Sequence, residues 1–405
     1  MRRQNDVPDN APKKPAKRGA AHGDFILVVL VLSLVIFGVI MVFSASYYTT
    51  IVSDKNQYYY LIRASMWAGG GLVLFTGLAF INYKVFYRFA PLLLCAGLLL
   101  LVLLFTPLGV TRGNATRWIK IGPVTIMPGE IIKICLIFFI AWYYTRFKKY
   151  VRSFARGYFF PFVLMLVCAF LIYKQPNLST AIIVCGIIVS MAYYAGVNGV
   201  YVTGTIGAGI AGFFALIFII APDGEHAKRF TGFLDPFSDA QGEFYQLVQS
   251  LLALGAGGVT GVGPGKSVQK ALYLPEAHND FIFAIIGEEL GFVGCIALLL
   301  VYLFLIWRCM LIAINAPDRF GKLVAAGITT MLALQVIMNV AVVTGVMPPT
   351  GVTLPFISFG GNAMLLFLGS MGIMLNISRR TAAAGIRRPG RKRPAPQDEN
   401  GQAVV

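Results

Sequence analysis

Leu27–Phe43, LVVLVLSLVIFGVIMVF, runs for seventeen residues without a charged side chain. The hydrocarbon core of a bilayer is crossed by about 20 such residues wound as a helix. This run is too long for the hydrophobic part of a signal peptide, and no convincing small-residue cleavage site follows it. Similar segments recur, so it is read as the first of about ten spans, near 25–45, 61–81, 89–109, 129–145, 158–174, 179–197, 201–221, 282–307, 322–345 and 361–377. Composition agrees: 57% of residues are hydrophobic and 13% charged, where soluble domains carry roughly a quarter charged. The expected fold is an all-α integral membrane protein, a polytopic bundle of about ten transmembrane helices with a large extracytoplasmic loop between spans seven and eight.

The net charge of +17 is unevenly placed. Arg2, Arg3, Lys13, Lys14, Lys17 and Arg18 precede the first span; Arg146, Lys148, Lys149, Arg152 and Arg156 follow the fourth; Arg379, Arg380, Arg387, Arg388, Arg391, Lys392 and Arg393 follow the last. Basic residues are retained on the cytoplasmic side, so both termini are expected there, consistent with an even number of spans. The basic tails are read as topology signals and attraction to membrane lipid, with no nucleic-acid partner. Residues 1–23 and 381–405 are rich in Pro, Ala and charge and are expected to be disordered, leaving 24–380 as the membrane domain. The six cysteines fall within spans or at their cytoplasmic edges, with neither disulfide nor metal spacing.

The outer loop, about 222–280, holds an amphipathic pattern. Phe244, Leu247, Val248, Leu251 and Leu252 recur at helical spacing, with Glu243, Gln246, Gln249 and Ser250 opposite. GAGGVTGVGPGKS, Gly255–Ser267, resembles a phosphate loop but carries Thr260 where the motif needs glycine. Two readings stay open: a hinge or re-entrant segment, or a backbone cradle that meets a lipid-linked phosphate together with Lys266 or Lys270.

YLPEAHNDFIFAIIGEELG, Tyr273–Gly291, ends this loop and opens the eighth span. Asp280 at the helix start is either a cap or a base. Glu288 and Glu289 lie roughly 12 Å deeper along the axis, too far for the pair of carboxylates a retaining glycosidase needs at about 5 Å. Any carboxylate chemistry here therefore uses one base. Glu288 and Glu289 are expected to be structural polar anchors paired across spans.

In TRGNATRWIKIGPVTIMPGEIIK, Thr111–Lys133, Trp118 lies among Arg112, Arg117 and Lys120 as an interfacial anchor. Glu130 and Lys133 are either an i,i+3 ion pair or part of a cationic wall for a diphosphate. Pro and Gly in 347–362 mark a broken helix or a re-entrant turn.

TRWIKIGP, MPGEIIK, QPNLST, YQLVQSLLALGAGGVTGVG, QKALYLPEAHNDFIFAIIGEELGFVG and LPFISFGGN, in that order, resemble the motifs of the SEDS family (shape, elongation, division and sporulation), nearer its division and sporulation members than its rod-elongation branch. The resemblance implies a peptidoglycan glycosyltransferase that polymerises lipid II and works with a class B penicillin-binding transpeptidase and other divisome membrane proteins. It implies that the catalytic aspartate is Asp280. Arg117, Lys133, Lys270 and Glu130, with Lys266, His278 and Ser358, make up the expected substrate- or diphosphate-binding set. No protein metal site is expected, though a divalent cation (Mg or Mn) would suit the leaving group. Departures from the family's patterns fall at Thr116, Met127, Gly129, Asn177, Ser179, Phe359 and Asn362. Two other readings are carried: a lipid II flippase, and a non-catalytic scaffold that activates the transpeptidase.

Overall fold

The structure is a computed structural model that describes residues 23–54, 56–112, 115–122, 124–175, 177–215, 232–233, 235–242, 244–271 and 273–383. Both tails beyond these limits, the end of the seventh expected span, and Asp223, Glu225, Lys228, Arg229 and Glu243 of the loop lie outside the described residues.

Helices α1 (Phe25–Val52), α2 (Tyr59–Phe80), α3 (Lys84–Leu103), α4 (Pro128–Arg146), α5 (Phe160–Tyr173), α6 (Leu178–Ala195) and α7 (Gly199–Ala215) make up the first part of the bundle. After them come α8 (Tyr245–Gly257), α9 (Ile282–Ile314), α10 (Arg319–Val343) and α11 (Gly361–Ala383). Among the described residues nine helices are long and apolar enough to cross a bilayer; α5 counts with the π-helical turn Phe154–Phe159 before it. The chain is a multi-pass membrane protein. Of the expected spans, the seventh is represented by α7, where the described residues end at 215.

Neighbour burial sorts the bundle. Of the most apolar window, 78% is buried in α4 and 72% in α11, against 22% in α2 and α3. So α4, α10 and α11 form the centre, while α2 and α3 turn Met66, Val73, Leu92 and Leu99 outward to lipid. Helix α2 packs along α11, α3 along α4, and α9 along α10 and α8.

Local chemistry sets the helix ends. Asp24 accepts the Leu27 N–H at 3.2 Å and also binds Arg308 of α9. Asp318 accepts the Gly321 N–H at 2.8 Å and the Tyr83 hydroxyl at 2.6 Å, tying the α2–α3 turn to the start of α10. Asn177 caps α6 through Thr180 N–H at 3.3 Å, so at this departure from the family pattern the amide oxygen has a structural task.

The connection between α3 and α4 is built of strands. It is an antiparallel three-stranded sheet, β1 (Gly109–Arg112), β2 (Ala115–Ile121) and β3 (Val124–Ile126), in the order β1-β2-β3. Val, Thr and Ile alternating with polar residues favour strands, and Trp118 stands opposite Val110. The expected span at 89–109 is displaced: the helix begins at Lys84 and stops at Leu103, before the turn into β1. The amphipathic helix is α8, but its inner face is rotated from the expected one. Ser250 is fully buried and donates to the Val343 carbonyl at 2.8 Å, while Leu252 is 45% exposed. Packing against both α9 and α10, rather than one flat surface, turns the helix.

Candidate functional site

The sheet, the start of α8, residues 273–281 and residues 345–360 meet at one end of the bundle. Between them lies a cavity of about 220 Å³ lined by Arg117, Phe244, Gln246, Glu276, Asp280, Phe281, Pro349, Thr350 and Gly351. Arg117 comes from β2 and Asp280 from just before α9. Gly351 (φ +73°) separates them: a Cβ there would lie 3.2 Å from Asp280 Oδ2 and 3.4 Å from Arg117 Nη1. This position needs glycine twice over, for its backbone conformation and for the closeness of both charges.

Asp280 does not cap its helix. The N-cap of α9 is Phe281, which makes no side-chain cap bond. Loss of water around Asp280 raises its pKa to about 6; Glu276 pushes the same way and Arg117 opposes. The result is a carboxylate that is ionised at neutral pH yet basic enough to take a proton.

The other expected cationic residues are placed differently. Lys133 is fully buried, with Nζ 2.8 Å from Glu130 Oε1 and 2.8 Å from Gln335 Oε1 of α10. Lys270 is 3% exposed, its Nζ 2.6 Å from Glu289 Oε1 and 3.0 Å from Ser44 Oγ of α1. Neither lines the cavity, and of the two readings of Glu130 and Lys133 the geometry is that of the ion pair. Removing one partner of a buried pair strands the other charge, at a cost of about 3–5 kcal/mol. Lys133→Ala is therefore expected to lower the unfolding midpoint in detergent, and Glu130→Gln/Lys133→Met to recover most of the loss. A midpoint for Lys133→Ala equal to wild type contradicts this.

Lys266 is exposed. His278 packs its ring against Tyr60 and Phe359 at centroid separations of 4.5 and 5.7 Å. Ser358 closes a turn by accepting the Leu354 N–H at 2.7 Å. None of the three lines the cavity.

The glycine-rich stretch is fastened to a break in α9. At Gly291 the helix is interrupted (φ +67°, ψ −169°). Val262 and Gly263 N–H donate to the Glu288 and Glu289 carbonyls at 3.0 and 3.1 Å; Phe292 and Val293 N–H donate to the Gly258 and Val259 carbonyls at 2.9 and 3.1 Å. Lower down, the Glu288 carboxylate receives Ser267 Oγ, Val268 N–H at 2.8 Å and Gln269 N–H at 3.3 Å. The donors to this carboxylate come from 267–269, after the glycines, whose N–H groups at Gly261 and Gly263 go to backbone carbonyls.

Sequence reasoning passed over Gly351, Gln335 and Asn339. The last two were detectable: two amides one helical turn apart in the apolar run MLALQVIMNVAVV mark a polar task on one face of α10.

Fold and site together define a multi-pass membrane protein in which the Asp280 carboxylate and the Arg117 guanidinium meet at Gly351 in a cavity at the end of the bundle. The chain belongs to the FtsW/RodA/SpoVE family, described as "Cell cycle protein", which it matches over residues 25–383. It is 39% identical to Stage V sporulation protein E of Bacillus subtilis, over 88% of this chain and 97% of that one. It is 36% identical to the probable peptidoglycan glycosyltransferase FtsW of Trichlorobacter lovleyi, over 88% and 93%. A chain of a peptidoglycan synthase complex superposes with a TM-score of 0.72 at 27% identity, covering 89% of this chain and 98% of that chain. The rod shape determining protein RodA of Thermus thermophilus superposes at 0.64 with 28% identity, covering 88% and 97%.

Proposed function

We propose that the chain is a peptidoglycan glycosyltransferase that polymerises lipid II at the outer face of the cytoplasmic membrane, with Asp280 as general base and Arg117 facing the leaving diphosphate. The observation that carries this reading is the meeting of Asp280 and Arg117 across Gly351 in an open cavity. Relatives named as peptidoglycan glycosyltransferases supply the reaction class. The acceptor's 4-hydroxyl attacks the donor's anomeric carbon as the bond from that carbon to the diphosphate oxygen breaks. Asp280 takes the hydroxyl proton, and undecaprenyl diphosphate departs with its charge opposed by Arg117. A divalent cation carried on the diphosphate oxygens would oppose the same developing charge. Lys133 and Lys270 are engaged in buried ion pairs with Glu130 and Glu289 and do not line the cavity.

The positive-inside pattern supports placing the cavity outside and both termini in the cytoplasm. Likeness to a chain of a synthase complex that coordinates polymerisation with crosslinking supports a class B transpeptidase as partner. Chain growth from labelled lipid II, with the purified protein and that partner, tests the reading; absence of polymer from the verified complex overturns it.

The base must be ionised to work, so kcat/KM is expected to fall as pH drops through about 6, the value to which Asp280 is raised. Glu276→Gln removes a negative neighbour, lowers the proton affinity of Asp280 and moves that acid limb to lower pH. A limb that stays in place, or moves up, contradicts the electrostatic account.

A further inference from the structure

The Asp280 carbonyl lies one residue outside the first turn of α9, which closes from Ala284 N–H to the Phe281 carbonyl at 2.9 Å. It accepts instead from Asn339 Nδ2 of α10 at 2.7 Å. The same nitrogen donates to the Val352 carbonyl at 2.6 Å. One amide group thus holds two segments that arrive from different parts of the chain and flank the cavity. Asn339 is 1% exposed and stands on a helix at the centre of the bundle, so its own position is set by packing on every side. Val352 follows Gly351, the residue against which both Asp280 and Arg117 lie. One turn earlier, Gln335 reaches the same loop at Thr353, 3.3 Å from its carbonyl, and also accepts from Lys133. A second strap, Phe359 N–H to the His278 carbonyl at 2.9 Å, ties the two segments further from the cavity.

We propose that Asn339 is a positioning residue for the transfer reaction: by donating to the Asp280 and Val352 carbonyls at once, it fixes the distance between the carboxylate and the loop that carries Gly351. This rests on the reading of Asp280 as the base. The segment holding Asp280 follows a loop and precedes a helix without a side-chain cap, so local structure alone leaves its last backbone carbonyl free to rotate. One hydrogen bond from a rigid helix removes that freedom, and a second from the same nitrogen holds the Val352 carbonyl beside it. A reacting group misplaced by about 1 Å can lose roughly a hundredfold in rate while substrate binding is kept.

The test compares Asn339→Ala with Asn376→Ala in the complex with its transpeptidase, following polymer growth over a range of lipid II concentrations. Asn376 is an asparagine of similar burial, 3% exposed, that also bonds across helices, to the Ala79 carbonyl at 2.8 Å, but at the other end of the bundle. Both substitutions cost stability. The proposal expects kcat to fall about ten- to a hundredfold in Asn339→Ala with KM within about threefold, and both constants within about twofold of wild type in Asn376→Ala. Equal losses in the two variants would show a general packing role and overturn it. So would an unchanged kcat in Asn339→Ala, or a rise in KM alone. Asp280→Asn is run beside them: wild-type activity there overturns the base and the positioning role together. Loss in Asp280→Asn with full kcat in Asn339→Ala overturns the positioning role only.

Discussion

Asp280→Asn is expected to reduce lipid II polymerisation by about 10²- to 10⁴-fold, the range that a positioned general base contributes. The amide has the shape of the carboxylate and cannot accept the hydroxyl proton. Little of the loss should be structural. Asp280 does not cap α9, and the bond from Asn339 goes to its backbone carbonyl, which the substitution leaves intact. The variant should therefore run as wild type on size exclusion, unfold at the same temperature and copurify with the transpeptidase. Asp280→Glu keeps the charge but pushes it one methylene further into the space beside Gly351, where Asp280 Oδ2 and Arg117 Nη1 already lie 3.2 and 3.4 Å from the point a Cβ would occupy, and should retain only part of the activity. If Asp280→Asn makes polymer within twofold of wild type, the base lies elsewhere, and Glu276 is the remaining carboxylate in the cavity.

Gly291→Ala is expected to cause the largest loss of stability. The backbone there has φ +67° and ψ −169°, a region that L-residues occupy at a cost of about 1–3 kcal/mol. The added Cβ would also lie 2.3 Å from Gly261 N and 2.5 Å from the Val259 carbonyl oxygen. Both obstacles are backbone, so no side chain can swing aside; the glycine-rich segment has to move off the helix. That breaks up to four hydrogen bonds, and within a bilayer each unsatisfied backbone group costs several kcal/mol. The total exceeds the roughly 4–5 kcal/mol that marks an exceptional single substitution. Gly207→Ala in α7, where a Cβ meets nothing within 4 Å, is the matched control. A folded, monodisperse Gly291→Ala protein with the unfolding midpoint of Gly207→Ala would contradict this account of the break.

The parts of this protein legible in its sequence are those set by composition over one or two helical turns. Apolar runs such as Leu27–Phe43 define spans because lipid offers the backbone no other partner, and the spacing in 244–252 announced α8. Asp280 stood out because a carboxylate at the start of a buried helix has few inexpensive roles. The small sheet was missed because its strands are short, three to seven residues, and their alternation looks like that of any polar loop.

Pairing was a different matter. Sequence offered Glu130 and Lys133 as a local pair but named no partner for Lys270, Glu288 or Glu289. Lys270 meets Glu289 and Ser44, the latter 226 positions away, and Lys133 meets Gln335, 202 positions away. Which buried charge finds which partner depends on helix rotation and on the break at Gly291. Helix rotation is set by packing against several neighbours at once, as the turned face of α8 shows with Ser250 inside and Leu252 outside. Sequence alone determined that this chain crosses a membrane many times and carries a titratable aspartate at the end of one span, because hydrophobicity and charge act locally. Only the tertiary structure decided that Arg117 rather than a lysine meets that aspartate at Gly351, and that Asn339 reaches its backbone carbonyl, because those contacts join segments that no short-range rule brings together.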